Sequence, residues 1–237
     1  MNSDFYARTL LKLCRSLKVL GHNRNVFVLT FIQRSSSGSV EKLQQALSLL
    51  NPRVPFTQTY PDELQGAFES ASDAVHAALL AAPDNGFWVG MGVGHLNIPA
   101  SGDALDDLSI ALCDGDALEY SRLAVEQART GSPARGIAIS SAQRFLSDAL
   151  SGNIRLLYRV CADRTEAEQR VVAPLIPGVR GQQKAVAQAL GITTQAVSRA
   201  LVRARWHEEQ AARVLLVDAL TRLDVPADGF STSSIEL

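Results

Sequence analysis

Between Gln169 and His207 the chain carries Arg170, Arg180, Lys184, Arg199, Arg203 and Arg205 and no Asp or Glu. The whole sequence of 237 residues has a formal net charge of −1 and a pI of about 6.4. The basic segment is therefore local segregation, not a general excess. A one-signed cationic surface is the electrostatic footprint of phosphate binding. Within it stand Thr193, Thr194 and Gln195, followed by Ser198 and Arg199. A Gln amide donates and accepts at once and suits adenine, an Arg fork suits guanine, and Thr can touch a thymine methyl or a phosphate. These residue types predict base reading by Thr193, Thr194, Gln195, Ser198 and Arg199, with Arg199 on guanine. Arg180, Lys184, Arg203 and Arg205 are expected on phosphates, which set register without reading sequence. The partner so implied is double-stranded DNA.

Two short helices must position these groups. Ala185, Val186, Ala187, Ala189 and Leu190 supply an apolar side to the first, and Ala196, Val197, Ala200 and Leu201 to the second. Gly191 falls where a left-handed corner is needed, and Thr193 is a good N-cap. A small residue (Ala187), a Gly four positions on and a β-branched Val197 six further on allow close crossing, a tight corner and a locked second helix. The stretch Gln183 to Arg205 resembles the helix-turn-helix of bacterial transcription regulators. Its plain alternative is an ordinary helical hairpin, against which the charge segregation argues. The stem of Arg205 could equally cover neighbouring core.

Other chemistry is sparse. Cys14, Cys113 and Cys161 lie far apart, and His22, His76, His95 and His207 form no ligand spacing, so neither a disulfide framework nor a metal centre is expected. No catalytic residue and no cofactor are assigned. Apolar content of 46% and charged content of 20% describe a soluble globular protein, and no apolar run reaches the roughly 20 residues of a membrane span. Neither a membrane partner nor a signal peptide is expected, and a cytoplasmic setting follows from the isolated cysteines.

Taken in order, residues 1–23 predict an amphipathic helix, with Phe5, Leu10, Leu11, Leu13, Leu17 and Leu20 on its apolar face. Val26 to Ile32 is a β-branched and aromatic run that predicts a buried central strand. A capped helix follows the serine-rich loop, and VPFTQTY predicts a second strand. From Pro61 the pattern predicts a long helix to about Ala82, with Asp62 and Glu63 as acids of its first turn. In the next strand Gly90, Gly92 and Gly94 alternate with Val89, Met91 and Val93, leaving one sheet face bare for a helix, a ligand or another backbone. Asp103 to Asp116 is expected as a solvated acidic loop, Ala117 to Arg129 as a helix and RGIAIS as a short strand. Thereafter only helices are expected: one or a broken pair over 141–164, one capped by Thr165 with Glu168 in its capping box, the basic pair, and a continuous extension from Arg203 to Leu223. These elements divide the chain into an α/β sandwich over 24–140, an all-α domain over 141–224 and a disordered tail over 225–237.

VFVLTFIQR, TYPDELQGAF, WVGMGVGHL and GDALEYSRLAVEQAR, in that order, resemble the SatD family. That family is in turn similar to the nucleotidyl cyclase and GGDEF catalytic fold. The resemblance covers about residues 24–140 and implies a cyclase-like sandwich fused to a helix-turn-helix domain. Active cyclases hold two metals on first-strand carboxylates, but Leu29 to Gln33 contains no Asp or Glu, and Pro61 replaces a glycine of the following motif. Asp62, Glu63, Gly90, Gly92 and Gly94 then make a candidate ligand pocket for a nucleotide-like effector, with catalysis lost.

The expected function is a dimeric, DNA-binding transcription regulator with a degenerate cyclase-like sensor or assembly domain. Alternatives are a protein that coats DNA and a nucleotide-processing enzyme tethered to DNA. Val214, Leu215, Leu216, Val217, Leu220 and Leu223 are expected either as the homodimer seam or packed on Phe145, Leu156 and Leu157 of the same chain.

Overall fold

The computed structural model describes residues 26–34, 39–83, 85–99, 109–130 and 136–223. The segments expected as an N-terminal amphipathic helix, most of the acidic loop and the C-terminal tail lie outside these residues.

β1 (Val26–Gln33) is the middle strand of a five-stranded mixed sheet, because its nearly unbroken apolar run can be covered on both faces. It pairs antiparallel with β3 (Glu63–Phe68) and with β4 (Phe87–Gly94). β2 (Val54–Tyr60) flanks β3, and β5 (Ile137–Ser141) runs parallel to β4, giving the order β2-β3-β1-β4-β5. With α1 (Val40–Ser48) between β1 and β2, and α2 (Ala71–Leu80) between β3 and β4, the first six elements form a split βαβ arrangement. Ser39 and Ser70 cap the two helices by accepting from the Lys42 and Asp73 amides.

The two sheet faces differ. Phe27, Leu29 and Phe31 of β1 join Leu64, Phe68, Val89 and Met91 in the main core, under α1 and α2. On the opposite face lies α3 (Asp116–Thr130), seated on the glycine row. A Cβ on Gly92 would lie 2.1 Å from the Ala117 carbonyl oxygen, and one on Gly90 would lie 2.3 Å from that of Ser121. The bare face is thus filled by helix backbone. Beneath α3, Gln65 Nε2 donates to Thr30 Oγ1 (2.8 Å), which lies 3.0 Å from Ser121 Oγ, so these buried polar groups are satisfied.

α4 (Arg144–Ala162) is one unbroken helix along the β5 edge. Ser151 accepts from the Ile139 amide (2.8 Å) and donates to its carbonyl (3.0 Å), while Arg155 Nε donates to the Ile137 carbonyl (2.9 Å). Side chains of α4 therefore occupy an edge that would otherwise offer open pairing groups. α5 (Glu166–Val172), α6 (Gln182–Leu190) and α7 (Thr194–Arg203) follow, and α8 (Trp206–Arg222) returns to the sheet.

Three expectations are corrected. Pro61 and Asp62 do not open a helix; they turn a hairpin between β2 and β3, and the helix starts only after Ser70. Pro suits the first central position of such a turn, and long-range pairing of β3 with both neighbours outweighs its local propensity. The extension after Arg203 is broken at Arg205, whose φ of 53° is left-handed, before α8 begins. The cores, finally, do not divide at Ser140. Leu150, Ile154 and Leu157 of α4 and Leu216 and Leu220 of α8 belong to the sheet core, and only α5 to α7 with their flanks share a separate one. Leu216, Leu220 and Leu223 are thus intrachain core with Leu157, whereas Phe145, Leu156, Val214 and Leu215 are exposed.

Gly92→Ala should lower stability by about 3 kcal/mol or more, since α3 must lift from the sheet. Gly152→Ala, where nothing lies within 4 Å of the added carbon, should raise it by about 0.5–1 kcal/mol. Urea denaturation of the two variants beside the parent checks both signs.

Candidate nucleic-acid interface

The turn between α6 and α7 has a definite hydrogen-bond logic. Gly191 sits at φ 66° and ψ 30°, its amide donates to the Gln188 carbonyl (3.3 Å), and the Ile192 amide donates to the Ala187 carbonyl (3.0 Å). This is the paired closure of a Schellman motif, which satisfies two orphan carbonyls of α6. Thr193 then caps α7 by accepting from the Ala196 amide (3.1 Å). Val197, Ala200 and Leu201 pack beneath against Val186 and Ala187 of α6 and Val171 and Val172 of α5. Ala185 and Ala189, expected on the apolar side of α6, are exposed instead.

The opposite face of α7 is open. Thr193, Thr194, Gln195, Ser198, Arg199 and Val202 are all exposed, and from Thr194 onward they recur at helical spacing along one stripe. Arg180 is exposed before α6 and Lys184 in its first turn. Gln182 holds the loop that precedes α6, accepting from the Ile176 amide (2.9 Å) and donating to the Ile176 and Val179 carbonyls. Among the described residues, no carboxylate pairs with Arg170, Arg180, Lys184, Arg199 or Arg205. Arg203 differs: its Nε donates to Glu168 Oε1 (3.1 Å). Glu168 also closes the capping box of α5, accepting from the Thr165 amide (3.0 Å). That backbone bond, aided by the Thr165 hydroxyl and Arg203, holds its carboxyl below the usual range.

The helical unit is tied to the sheet domain through Glu209, which is buried on α8 and bonded by both Arg164 and Arg213. Arg164 Nε also donates to the Ala204 carbonyl (3.0 Å), where α7 ends. Cys161 lies alongside, its thiol pushed up to about 11 by burial and by Glu209, and so protonated at neutral pH. Sequence reasoning did not find this cluster. Its members come from the end of α4, the residue Arg164 just beyond it, and α8, and the i,i+4 spacing of Glu209 and Arg213 was the one local signal.

The candidate pocket of Asp62, Glu63, Gly90, Gly92 and Gly94 is not assembled. Glu63 pairs with Ile32 at one end of β1 and Gly94 with Val26 at the other, a separation of about 20 Å along the strands. Asp62 is exposed on the hairpin turn, Glu63 is buried and accepts from Thr59, and the glycines lie under α3. Among the described residues there is no group of three or more His, Cys, Asp or Glu able to hold a metal, and no helix is long and apolar enough to cross a membrane.

Glu168→Ala removes half of the capping box and releases Arg203, so stability should fall by about 1 kcal/mol. The folded carboxyl titrates below its unfolded value of about 4.5, so its contribution is full above that pH and is lost as pH falls through the lower folded value. Melting curves of parent and variant should therefore converge in acid. Comparison of the chain with protein-family models, with curated proteins and with solved structures yields no match, so the functional reading rests on the arrangement of its own residues.

Proposed function

We propose that the chain is a cytoplasmic, DNA-binding transcription regulator in which α6 and α7 act as a helix-turn-helix. The observation that supports it most is the open stripe of α7, Thr194, Gln195, Ser198, Arg199 and Val202, flanked by cations that no described carboxylate neutralises. A helix so presented fits the major groove with its first turns on base edges. In this reading Gln195 pairs with adenine, Arg199 with guanine, and Val202 touches a thymine methyl. Arg180, Lys184 and Arg205 hold phosphates. Arg203 serves first as a strut to α5 through Glu168, and reaches phosphate only by leaving it.

One recognition helix contacts a few base pairs, so the active form is a homodimer on two half-sites, related by the symmetry of the operator. The α/β domain is a degenerate relative of the SatD and nucleotidyl cyclase fold. It serves as a platform and not as a catalyst, because β1 presents Thr30 and Gln33 where that chemistry would need carboxylates.

Fluorescence anisotropy against duplex from upstream of the protein's own reading frame, beside a scrambled duplex, tests this across a salt series. The native duplex should be preferred. Arg199→Ala should erase about 1–3 kcal/mol of that preference, while Lys184→Ala should weaken both duplexes alike and reduce the salt slope by about one. Equal, steeply salt-dependent binding of both duplexes would replace the regulator with a DNA-coating protein. Binding to neither would refute the reading.

A further inference from the structure

α4 turns Leu150, Ile154 and Leu157 into the sheet core, yet its outer face is not polar. Phe145 is 90% exposed, more than any other large apolar side chain among the described residues, and Leu156 is 72% exposed. Ala149 and Gly152 stand between them and are exposed as well. Single apolar residues scattered over a surface are ordinary. These four recur at spacings of four, three and four, which sets them on one line of the helix about 17 Å long. Such a line is the seam of a two-helix contact, here with large residues at its ends and small ones between. It is only one helix wide, whereas a stable complex of separate proteins buries roughly 800 Å² per partner. A single helix tethered nearby fits this face better than a second folded molecule does.

Residues 1–25, outside the described residues, carry the matching pattern in their sequence. Tyr6, Leu10, Leu13, Leu17 and Leu20 recur at spacings of four, three, four and three, while Arg8, Lys12, Arg15 and Lys18 fall on the opposite side of a helical projection. Their point of attachment is also close. Val26 opens β1 opposite Gly94, and the neighbouring Val93 pairs with Ser141, three residues before α4. Two strand spacings, about 10 Å, separate β1 from β5 there. The polar link from Gly21 to Asn25 reaches at most about 17 Å. A tether this short holds a segment at an effective concentration on the order of millimolar, far above that of a second copy in dilute solution.

We infer that residues 4–20 form a helix lying antiparallel on the outer face of α4, with Leu20 against Phe145, Leu17 against Ala149, Leu13 against Gly152 and Leu10 against Leu156. Large side chains then meet small ones at the two inner steps, and the four cations stay in water. The partner of this face is the chain's own N-terminal segment. An isolated helix of this length is marginal in water, so the order of the segment depends on α4.

Hydrogen–deuterium exchange of the full chain, read by mass spectrometry of peptides from residues 1–25, tests the assignment. Exchange over residues 5–20 is expected at least about 10-fold slower than in a free peptide of the same sequence, and equally so at low and high protein concentration. Phe145→Asp and Leu156→Asp, each at an exposed position, should return it to the free-peptide rate while β1 and β4 keep their protection. Leu13→Asp, which alters no described residue, should do the same from the other side of the contact. Free-peptide exchange in the parent protein overturns the inference, and so does slow exchange that survives all three substitutions. Protection that grows with protein concentration overturns it in favour of a second copy. Protection of residues 225–237, lost in Phe145→Asp and Leu156→Asp while residues 5–20 are unaffected, overturns it in favour of the C-terminal tail.

Discussion

The carboxylate of Glu209 is the point on which the arrangement of the molecule depends. It is buried on α8, and the guanidinium groups of Arg164 and Arg213 are both spent on it. Removing the Glu209 carboxylate from such a node costs several kcal/mol, because it leaves two guanidinium groups without their counter-ion. Arg164 lies just past α4, and its second bond reaches the Ala204 carbonyl at the end of α7. One cluster thus fixes where the sheet core ends, where the small helical core begins and how the chain leaves it. The left-handed Arg205 follows at once, so the redirection of the backbone takes place beside the charges that hold it.

The sheet domain solves a different problem, that of covering a broad surface with few side chains. On one face large residues do this in the usual way, with Phe31 set edge-on to Phe56 and Phe87. On the other, Gly90, Gly92 and Gly94 let the backbone of α3 settle directly onto β4. The residues a ligand would need are therefore consumed by packing. β1 carries no carboxylate, and the space above Gly90 and Gly92 of β4 is filled by the backbone of α3.

Much of this was legible in the chain. The Val26–Ile32 run declared a strand covered on both faces, and Gly191, Thr193 and the Thr165 and Glu168 pair declared helix ends, since each residue type answers a local requirement of backbone or cap. The glycine row declared a close approach and left open what approached. What escaped was decided at long range. Leu64 to Phe68 reads as the opening of an Ala-rich helix until β1 and β2 are there to pair with it. Arg203 reads as a free cation until Glu168 is folded beside it, and nothing in the order of residues brings Arg164 to Glu209. The exposed stripe of α7 was legible because a helical face is written at local spacing, whereas the ion cluster on Glu209, which joins Arg164 to α8, was not.

The return of α8 to the sheet has a consequence for how the chain acquires its shape. Leu216, Leu220 and Leu223 complete a core whose other buried members precede residue 162, with the whole of α5 to α7 intervening. Closing that loop carries an entropic cost that the small helical core, built from near neighbours in sequence, does not incur. During synthesis the α5 to α7 unit emerges before its platform is sealed. The α5 to α7 unit can therefore take form before the sheet core is complete, and α8, the helix that follows it, locks it in place.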